Sequence, residues 1–220
     1  FNENHLLILG INNKSKVNNQ VKYYNSLSVY DHNLNLLNYY NKINLVPFGE
    51  FLPMENLLKN VGLKSLTNNY QSYSKGQKRE IIELNQKNFS IKFLPLICYE
   101  IIYSGKLYKN HDFDIIVNIS EDGWFGQSIG PEQHFVHSIF RAIESGKYVL
   151  RSANNGIAAI VNHLGIAEAK INFNEVGDIY FPKMRKIQKT VLSNYGNKIY
   201  NLYKYQSQQA GIQKRERNTD

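Results

Sequence analysis

Several short stretches of this chain are apolar on successive residues instead of on alternate ones. A strand with this pattern is covered on both faces, so the stretches predict a sheet that is buried between other layers. Six strands are predicted, at residues 5–11, 25–31, 90–97, 114–120, 148–153 and 156–162. Amphipathic helical segments lie between some of these strands, and the combination predicts an α/β fold with a layered sheet core.

The strongest helical signal is GPEQHFVHSIFRAIESGK, at residues 130–147. Pro131 suits the first turn of a helix, and Gly146 suits its carboxyl end. Arg141 and Glu144 are predicted on the face opposite to an apolar one. The members of that apolar face are Val136, Ile139, Phe140 and Ile143.

Weaker helical patterns occupy residues 100–110 and 54–62. The second has an apolar face that suits either contact with lipid or packing on the sheet. That face consists of Met54, Leu57, Leu58 and Val61. The sequence NHLG at residues 162–165 predicts a hairpin turn, with Gly165 available for a positive φ.

The composition narrows the class of protein. The chain has 220 residues, of which 42% are hydrophobic, so it is long enough to bury the core of one sizeable domain or two small ones. The net charge is +8, but the lysines are dispersed and only residues 181–189 and 213–220 are locally basic. A nucleic-acid-binding module is therefore the weakest interpretation. No apolar run approaches the roughly 18–20 residues that a membrane-spanning helix needs.

Cys98 is the only cysteine, which excludes an internal disulfide framework. It follows the apolar segment FLPLI and precedes the weaker helical pattern at residues 100–110. A thiol at the amino end of a helix is favoured as a thiolate, the reactive form of a nucleophile. Free cysteines are also commonly buried as small hydrophobic residues, so this stretch alone leaves both roles open.

Lys42 and Glu50 lie in the segment YYNKINLVPFGEFLP. A lysine beside a cysteine would lower the pKa of the thiol and stabilise an oxyanion. A nearby carboxylate would keep that lysine charged and oriented. The alternative is an ordinary lysine exposed to solvent, as most lysines are.

Trp124 and Phe125 lie in a loop that contains three glycines and two acidic residues, within NISEDGWFGQSIGPEQH. Loops at strand ends are common positions for binding sites. The two aromatic residues are suited to core packing, to the wall of a pocket, or to contact with lipid.

Two other groups of polar residues carry weaker signals. Asn154 and Asn155 suit hydrogen bonding around a site, although a plain turn is the simpler interpretation. His134 and His137 are three residues apart and lack an obvious third ligand, so no metal site is expected. No glycine-rich phosphate-binding loop is present, and no cofactor is expected.

Taken together, these segments resemble the nitrilase, or carbon–nitrogen hydrolase, superfamily, and within it the apolipoprotein N-acyltransferases. The segments that carry the resemblance are YNKINLVPFGEFLP, ICYEII, NISEDGWFGQSIGPEQH, FRAIESGKYVLRSANNGIAAI and KTVLSNYGNKIY. They span most of residues 23–200. The resemblance implies an αββα sandwich fold and a Glu–Lys–Cys catalytic triad.

The resemblance also assigns roles to individual residues. Cys98 is expected to be the nucleophile and Lys42 the triad lysine, which with a backbone N–H would hold the oxyanion. Glu50 corresponds to an accessory acid, Tyr99 and Glu100 correspond to the residues beside the nucleophile, and both glutamates are expected among the catalytic residues. The expected substrate-binding residues are Tyr99, Trp124 and Phe125.

The expected reaction moves an acyl chain from a phospholipid donor, through a Cys98 thioester, to the amino group of an apolipoprotein acceptor. The implied location is the bacterial inner membrane, with this domain facing the periplasm and membrane segments outside this chain.

The chain also departs from the family pattern. No residue between Phe1 and Lys42 matches the triad glutamate, because Glu3 precedes the first predicted strand instead of ending one. We therefore expect a fragment, with a domain at residues 1–205 truncated at its front and a polar tail at residues 206–220. Loss of the general base would slow the reaction by about 10²–10⁴-fold. The alternative functions are a soluble nitrilase-like amidase and a non-catalytic remnant that lacks the base.

Overall fold

Nine strands form two sheets in the part of the chain that the computed structural model describes, residues 2–17, 19–54, 72–86, 89–105, 107 and 112–180. The strands are β1 (Leu7–Val17), β2 (Gln20–Tyr30), β3 (Leu36–Asn41), β4 (Ile82–Asn85), β5 (Ser90–Ile97), β6 (Ile115–Glu121), β7 (Tyr148–Asn154), β8 (Ala158–Val161) and β9 (Ala167–Ile171). The smaller sheet has the order β1-β2-β3, and the larger sheet has the order β4-β5-β6-β7-β8-β9.

Three parallel strands, β5, β6 and β7, form the centre of the larger sheet, and all other strand pairs are antiparallel. Ile97 at the end of β5 lies opposite Ile119 of β6, and Glu121 at the end of β6 lies opposite Asn154 of β7. The carboxyl ends of the three strands therefore lie side by side. In α/β proteins this edge of the sheet is where binding crevices form.

Successive residues of β5 pack into two different cores. Phe93 and Ile97 face the smaller sheet, where Leu27 and Val29 of β2 join them. Leu94 and Leu96 belong to the core on the opposite face of the larger sheet. There, Phe135 and Ala142 contribute from the helix α1 (Gly130–Ser145).

This burial on both faces confirms the prediction drawn from successive apolar residues. The described elements form a helix layer and two sheet layers, as expected for part of an αββα sandwich, and the α/β fold class is confirmed. Each large apolar side chain that is fully removed from water contributes about 1.5–3 kcal/mol to this packing.

All six predicted strands are present, and β5 has the predicted bounds. Strands β3, β4 and β9 were not predicted, because they are short and mix polar with apolar residues. The helix at residues 130–147 is confirmed as α1, and Gly146 ends it with a φ of 67°. The hairpin turn is also confirmed: the Gly165 N–H donates to the Asn162 carbonyl oxygen over 2.8 Å.

The predicted orientation of α1 is wrong. Its inward face carries mainly polar or small residues, whereas Val136, Phe140 and Ile143 of the predicted apolar face are 40–49% exposed. The buried residues are Pro131, His134, Phe135, Ser138, Arg141, Ala142 and Ser145. Arg141 turns inward because its guanidinium donates to the Ile102 carbonyl oxygen and pairs with Glu144.

The helix predicted at residues 100–110 is also corrected, since the described part contains only a 3₁₀ turn at Cys98–Ile102. This turn is too short to supply the helix dipole on which the thiolate argument relied. The predicted helix at residues 54–62 lies outside the described residues except for Met54, and so do the basic segment 181–189 and the tail 206–220. No helix within the described residues is long and apolar enough to cross a membrane.

Replacement of Gly165 by alanine is expected to lower the free energy of unfolding by about 1–3 kcal/mol. The residue has a φ of 80°, and an added Cβ would lie 2.7 Å from Ile143 Cδ1 and 2.9 Å from Ile139 Cγ2. Urea unfolding would measure the loss. Gly177→Ala is the control, because its Cβ would make an ordinary contact at 3.7 Å with Ile171. Equal stabilities of the two variants would contradict the prediction.

Candidate active site

Cys98 occupies a sharp corner at the carboxyl end of β5. Its φ is 50°, in the left-handed region that costs a non-glycine residue on the order of 1–3 kcal/mol. The side chain is partly exposed, and its Sγ atom lies 3.9 Å from the Glu121 carbonyl oxygen at the end of β6. A strained corner that presents a partly exposed thiol suits a nucleophile better than a core residue.

Lys42 is buried, with only 1% of its surface exposed, so the alternative of a solvated lysine is wrong. It follows β3, and its Nζ atom donates to Glu50 Oε2 over 2.7 Å. Glu50 is held in turn by Asn25, whose side-chain amide donates to Oε1, and by the Val46 N–H, which donates to Oε2. These hydrogen bonds fix the orientation of the Glu50 carboxylate and, through it, of the Lys42 side chain.

Glu100 joins the loop that carries Lys42 to the corner that carries Cys98. Its side chain is completely buried. Oε1 accepts hydrogen bonds from the backbone N–H groups of Ile43 and Asn44, and Oε2 accepts one from the N–H of Ile97. One carboxylate thus binds the residues next to Lys42 and the residue before Cys98.

Arg79 and Tyr40 complete the surroundings of this carboxylate, and sequence reasoning found neither of them. The Arg79 guanidinium donates to Glu100 Oε1 over 2.6 Å, and the Tyr40 hydroxyl donates to the same oxygen over 2.8 Å. Burial, followed by the negative charge of Glu100, raises the pKa of Tyr40 far above its ordinary value of 10.0. The tyrosine therefore remains a neutral donor. No local pattern marks Arg79, because its partner lies 21 residues away in sequence.

Asp122, at the end of β6, is the centre of a second buried network on the other side of Cys98. Arg151 of β7 donates to Asp122 Oδ2 over 2.6 Å and also donates to Asn118 Oδ1. The Asn118 side-chain amide donates to the carbonyl oxygens of Leu96 and Cys98, over 3.2 and 3.4 Å. Asn118 and Arg151 therefore fix the main chain on both sides of the β5 end.

His134 belongs to this network. Its Nδ1 atom lies 2.9 Å from Asp122 Oδ1, and its Nε2 atom lies 3.3 Å from the Cys98 carbonyl oxygen. The rings of Tyr99 and Phe125 lie against the imidazole, with centroid distances of 6.1 and 5.5 Å. Among the described residues, no cluster of histidine, cysteine or acidic side chains is placed to hold a metal ion.

The loop after β6 is held by Glu121. Its carboxylate accepts hydrogen bonds from the Gly123 N–H and from the side-chain amides of Asn154 and Asn155 at the end of β7. The two asparagines therefore anchor the loop, and a plain turn does not account for them. Trp124 projects from this loop with 76% of its surface exposed, which rules out core packing.

The structure brings most of the sequence-predicted site residues to the carboxyl edge of the parallel strands. Tyr99 and Phe125 lie against the same histidine, and Glu100 connects the lysine loop with the cysteine corner. Their roles in substrate binding and catalysis stay predictions. Within the described residues, no carboxylate lies within hydrogen-bonding distance of Cys98 Sγ.

The Carbon-nitrogen hydrolase family model matches residues 2–184. The apolipoprotein N-acyltransferase of Rickettsia prowazekii (strain Madrid E) is 39% identical over 194 residues, which are 87% of this chain and 38% of that protein. The apolipoprotein N-acyltransferase of Brucella suis biovar 1 (strain 1330) is 36% identical over 74% of this chain and 31% of that protein. The chain thus spans about a third of the length of these relatives.

Two solved structures share the fold at low sequence identity. Saccharomyces cerevisiae Nit3, a member of branch 10 of the nitrilase superfamily, has a TM-score of 0.53 and 16% identity, covering 78% of this chain and 57% of that one. Glutamine-dependent NAD+ synthetase from Acinetobacter baumannii has a TM-score of 0.51 and 16% identity, covering 76% of this chain and 29% of that one. These similarities support the nitrilase-like fold.

Replacement of Asp122 by asparagine is expected to destabilise the protein at neutral pH and much less in acid. Burial alone would raise the pKa of Asp122, but the hydrogen bond from His134 and the charge of Arg151 hold it below the ordinary 3.8. A carboxyl group whose pKa is lower in the folded state than in the unfolded state stabilises the fold at pH values above its unfolded-state pKa. This stabilisation is lost as the pH falls through the folded-state pKa. Breaking such a buried pair costs about 3–5 kcal/mol at pH 7.

Urea unfolding of the wild type and of Asp122→Asn between pH 7 and pH 2 would measure the difference. It should shrink as the pH falls below about 3.8. Asp112→Asn is the matched control, since Asp112 pairs with Lys92 at an exposed position and is expected to contribute less than about 1 kcal/mol. A difference that does not change with pH would contradict the assignment.

Proposed function

This chain belongs to the carbon–nitrogen hydrolase family, and we propose that it carries the acyl-transfer site of an apolipoprotein N-acyltransferase. The observation that carries the proposal is the buried carboxylate of Glu100. It binds the main chain beside Lys42 and beside Cys98, and so connects the loop of a buried lysine with the corner that presents a partly exposed thiol. The identity of 36–39% with proteins named apolipoprotein N-acyltransferase supports the choice of reaction.

In the first half of the proposed reaction, the Cys98 thiolate attacks an ester carbonyl of a phospholipid. The new C–S bond forms while the carbonyl oxygen takes the negative charge of a tetrahedral intermediate. Collapse of this intermediate breaks the C–O bond, and the leaving oxygen takes a proton to become the hydroxyl of a lysophospholipid. The acyl chain remains on Cys98 as a thioester.

In the second half, the amino group of the acceptor, an S-diacylglyceryl cysteine at the start of an apolipoprotein, attacks the thioester. A C–N bond forms, the C–S bond breaks, and the nitrogen loses a proton. The products are an amide-linked acyl chain and the regenerated thiol. Because the donor leaves before the acceptor reacts, the kinetics are expected to be ping-pong.

Lys42 is proposed to stabilise the oxyanion in both halves. An ammonium group has three hydrogens, and the contact with Glu50 engages one of them. A buried cation acts more strongly on a developing negative charge than an exposed one, because little water surrounds it. Glu50 and Glu100 are proposed as positioning residues for the lysine and for its loop.

Exposed apolar side chains on the site loops favour a lipid substrate over a small soluble amide. Phe48, between Lys42 and Glu50, is 71% exposed, and Trp124 is 76% exposed. Ile129, just before α1, is also exposed. Large apolar groups that are exposed near a site mark contact with lipid or with another apolar partner. The proposed location is the inner membrane, with this domain on its periplasmic side.

Incubation of the full chain with phospholipid vesicles is expected to add the mass of one acyl chain to Cys98, and Cys98→Ser should abolish the adduct. Lys42→Met should slow formation of the adduct by about 10²–10³-fold, because the oxyanion loses its cation. Lys78→Met is the control, since Lys78 and its partner Glu80 are both exposed. Intact-mass spectrometry over time would give the rates.

An unmodified Cys98 together with turnover of water-soluble amides would replace the proposal with an amidase. Absence of both activities in a folded, full-length protein would indicate a non-catalytic domain. Equal acyl transfer by the wild type and Cys98→Ser would show that the thiol does not carry the acyl chain.

Trp124→Ala is expected to raise the KM for phospholipid about threefold to tenfold, because the exposed indole is proposed to contact the acyl chain. The rate constant for alkylation of Cys98 by iodoacetamide should not change, since this reagent needs no lipid contact. Phe140→Ala is the control, because it also removes an exposed aromatic ring but lies on the outer face of α1. A similar KM effect in both variants would argue for general attachment to the membrane instead of a specific contact.

A further inference from the structure

The imidazole of His134 lies between two oxygens that accept hydrogen bonds. Nδ1 is 2.9 Å from a carboxylate oxygen of Asp122, and Nε2 is 3.3 Å from the main-chain oxygen of Cys98. A carbonyl and an ionised carboxylate have no hydrogen to donate, so a ring that is hydrogen-bonded to both oxygens donates from both nitrogens. A ring that donates from both nitrogens is an imidazolium.

The charged groups around the ring act in opposite directions, because the Asp122 carboxylate favours an imidazolium and the nearby Arg151 guanidinium disfavours it. Arg151 also donates to the other oxygen of Asp122 over 2.6 Å. An Arg151 guanidinium nitrogen also lies 3.1 Å from Nδ1, and a neutral ring would accept a hydrogen bond from it there. In that state, however, the unprotonated Nδ1 would also face the carboxylate of Asp122. Burial lowers the pKa of the Arg151 guanidinium, and its contact with Asp122 opposes that lowering. His137, one turn along α1, is partly buried.

The contact between His134 Nε2 and the Cys98 carbonyl oxygen matters because this oxygen belongs to the strained corner that carries the proposed nucleophile. Cys98 has a left-handed φ of 50°, and its carbonyl oxygen also accepts a longer hydrogen bond from Asn118, at 3.4 Å. A trans peptide is planar, and its C=O and N–H point in opposite directions. Holding the oxygen therefore also fixes the direction of the Tyr99 N–H, the first backbone donor after the nucleophile.

We propose that His134 is a positioning residue for the nucleophile: as an imidazolium it donates Nε2–H to the Cys98 carbonyl and Nδ1–H to Asp122, and so holds the strained corner in its reactive conformation. The proposal rests on Cys98 being the nucleophile of the proposed function. It concerns the geometry of the thiol, however, and it can be tested without phospholipid or apolipoprotein.

The variants His134→Phe and His134→Gln distinguish the effect of losing the hydrogen bond donated by His134 from the effect of losing the packing of its ring. Phenylalanine keeps a ring against Tyr99 and Phe125 but has no donor. Glutamine loses the ring but can place an amide N–H near the position of Nε2. Because Cys98 is the only cysteine, alkylation of the full chain by iodoacetamide reports on this thiol alone.

His134→Phe is expected to slow alkylation about tenfold to a hundredfold, the usual effect of losing a hydrogen bond from a charged donor. His134→Gln should recover most of the wild-type rate. His137→Gln is the control on the same helix and should alkylate like the wild type. In acyl transfer, the loss in His134→Phe should appear in kcat, with little change in the KM for phospholipid.

Nitrogen NMR of protein labelled with ¹⁵N-histidine gives a second, independent measurement at neutral pH. Both ring nitrogens of His134 should carry a hydrogen, and Asp122→Asn should convert the ring towards the neutral form. This measurement remains decisive where His134→Phe fails to fold, as judged by circular dichroism. The wild-type spectrum needs neither acyl transfer nor a reactive thiol.

Three results would overturn the proposal. They are a neutral His134 ring in the wild type, wild-type alkylation by a folded His134→Phe variant, and equal slowing by phenylalanine and glutamine. The proposed acyl transfer can fail separately, because a missing acyl adduct leaves the alkylation rates and the NMR spectrum unaffected.

Discussion

The buried carboxylate of Glu100 is the interaction on which the rest of the site depends. A charge removed from water is costly, and here five donors compensate it, one of them the guanidinium of Arg79. Two further donors are main-chain N–H groups from the loop after β3, and another is the N–H of Ile97 at the end of β5. These elements belong to different sheets. The hydrogen bonds that satisfy the charge therefore also fix the smaller sheet against the larger one, between the loop that carries Lys42 and the corner that carries Cys98.

Cys98 lies between this carboxylate and a second charged network centred on Asp122. A left-handed φ persists only where the surrounding structure determines it strongly. Here Glu100 binds the N–H of Ile97, the residue before Cys98. Asn118 and His134 contact the carbonyl oxygen of Cys98 itself. The strain at the corner is thus offset by buried polar contacts on both sides. The same contacts explain how a partly exposed thiol keeps one orientation without burial of its side chain.

The predictable part of the fold is the part that apolar burial determines. Strand β5 could be predicted to the residue because residues 93–97 are all buried and the polar residues 85–88 separate this run from the preceding one. The helix α1 was also bounded correctly, since Pro131 and Gly146 act locally on the backbone. By contrast, burial of Lys42 depends on a partner that the loop brings to it. The local pattern left the role of that lysine open, and the resemblance to a family was needed to favour a catalytic role.

The helix α1 shows why the remaining features resisted prediction. The amphipathic pattern assumes that a helix turns its apolar residues towards the core and its charged residues towards solvent. That assumption fails for α1, because its inner face also supplies His134 to the Asp122 network and Arg141 to the carbonyl oxygen of Ile102. Main-chain oxygens at the end of β5 and in the turn after it need donors, and apolar side chains cannot provide them. The polar inner face of α1 is therefore a consequence of the site that the helix supports, and the mismatch with its hydrophobic pattern itself indicates where that site lies.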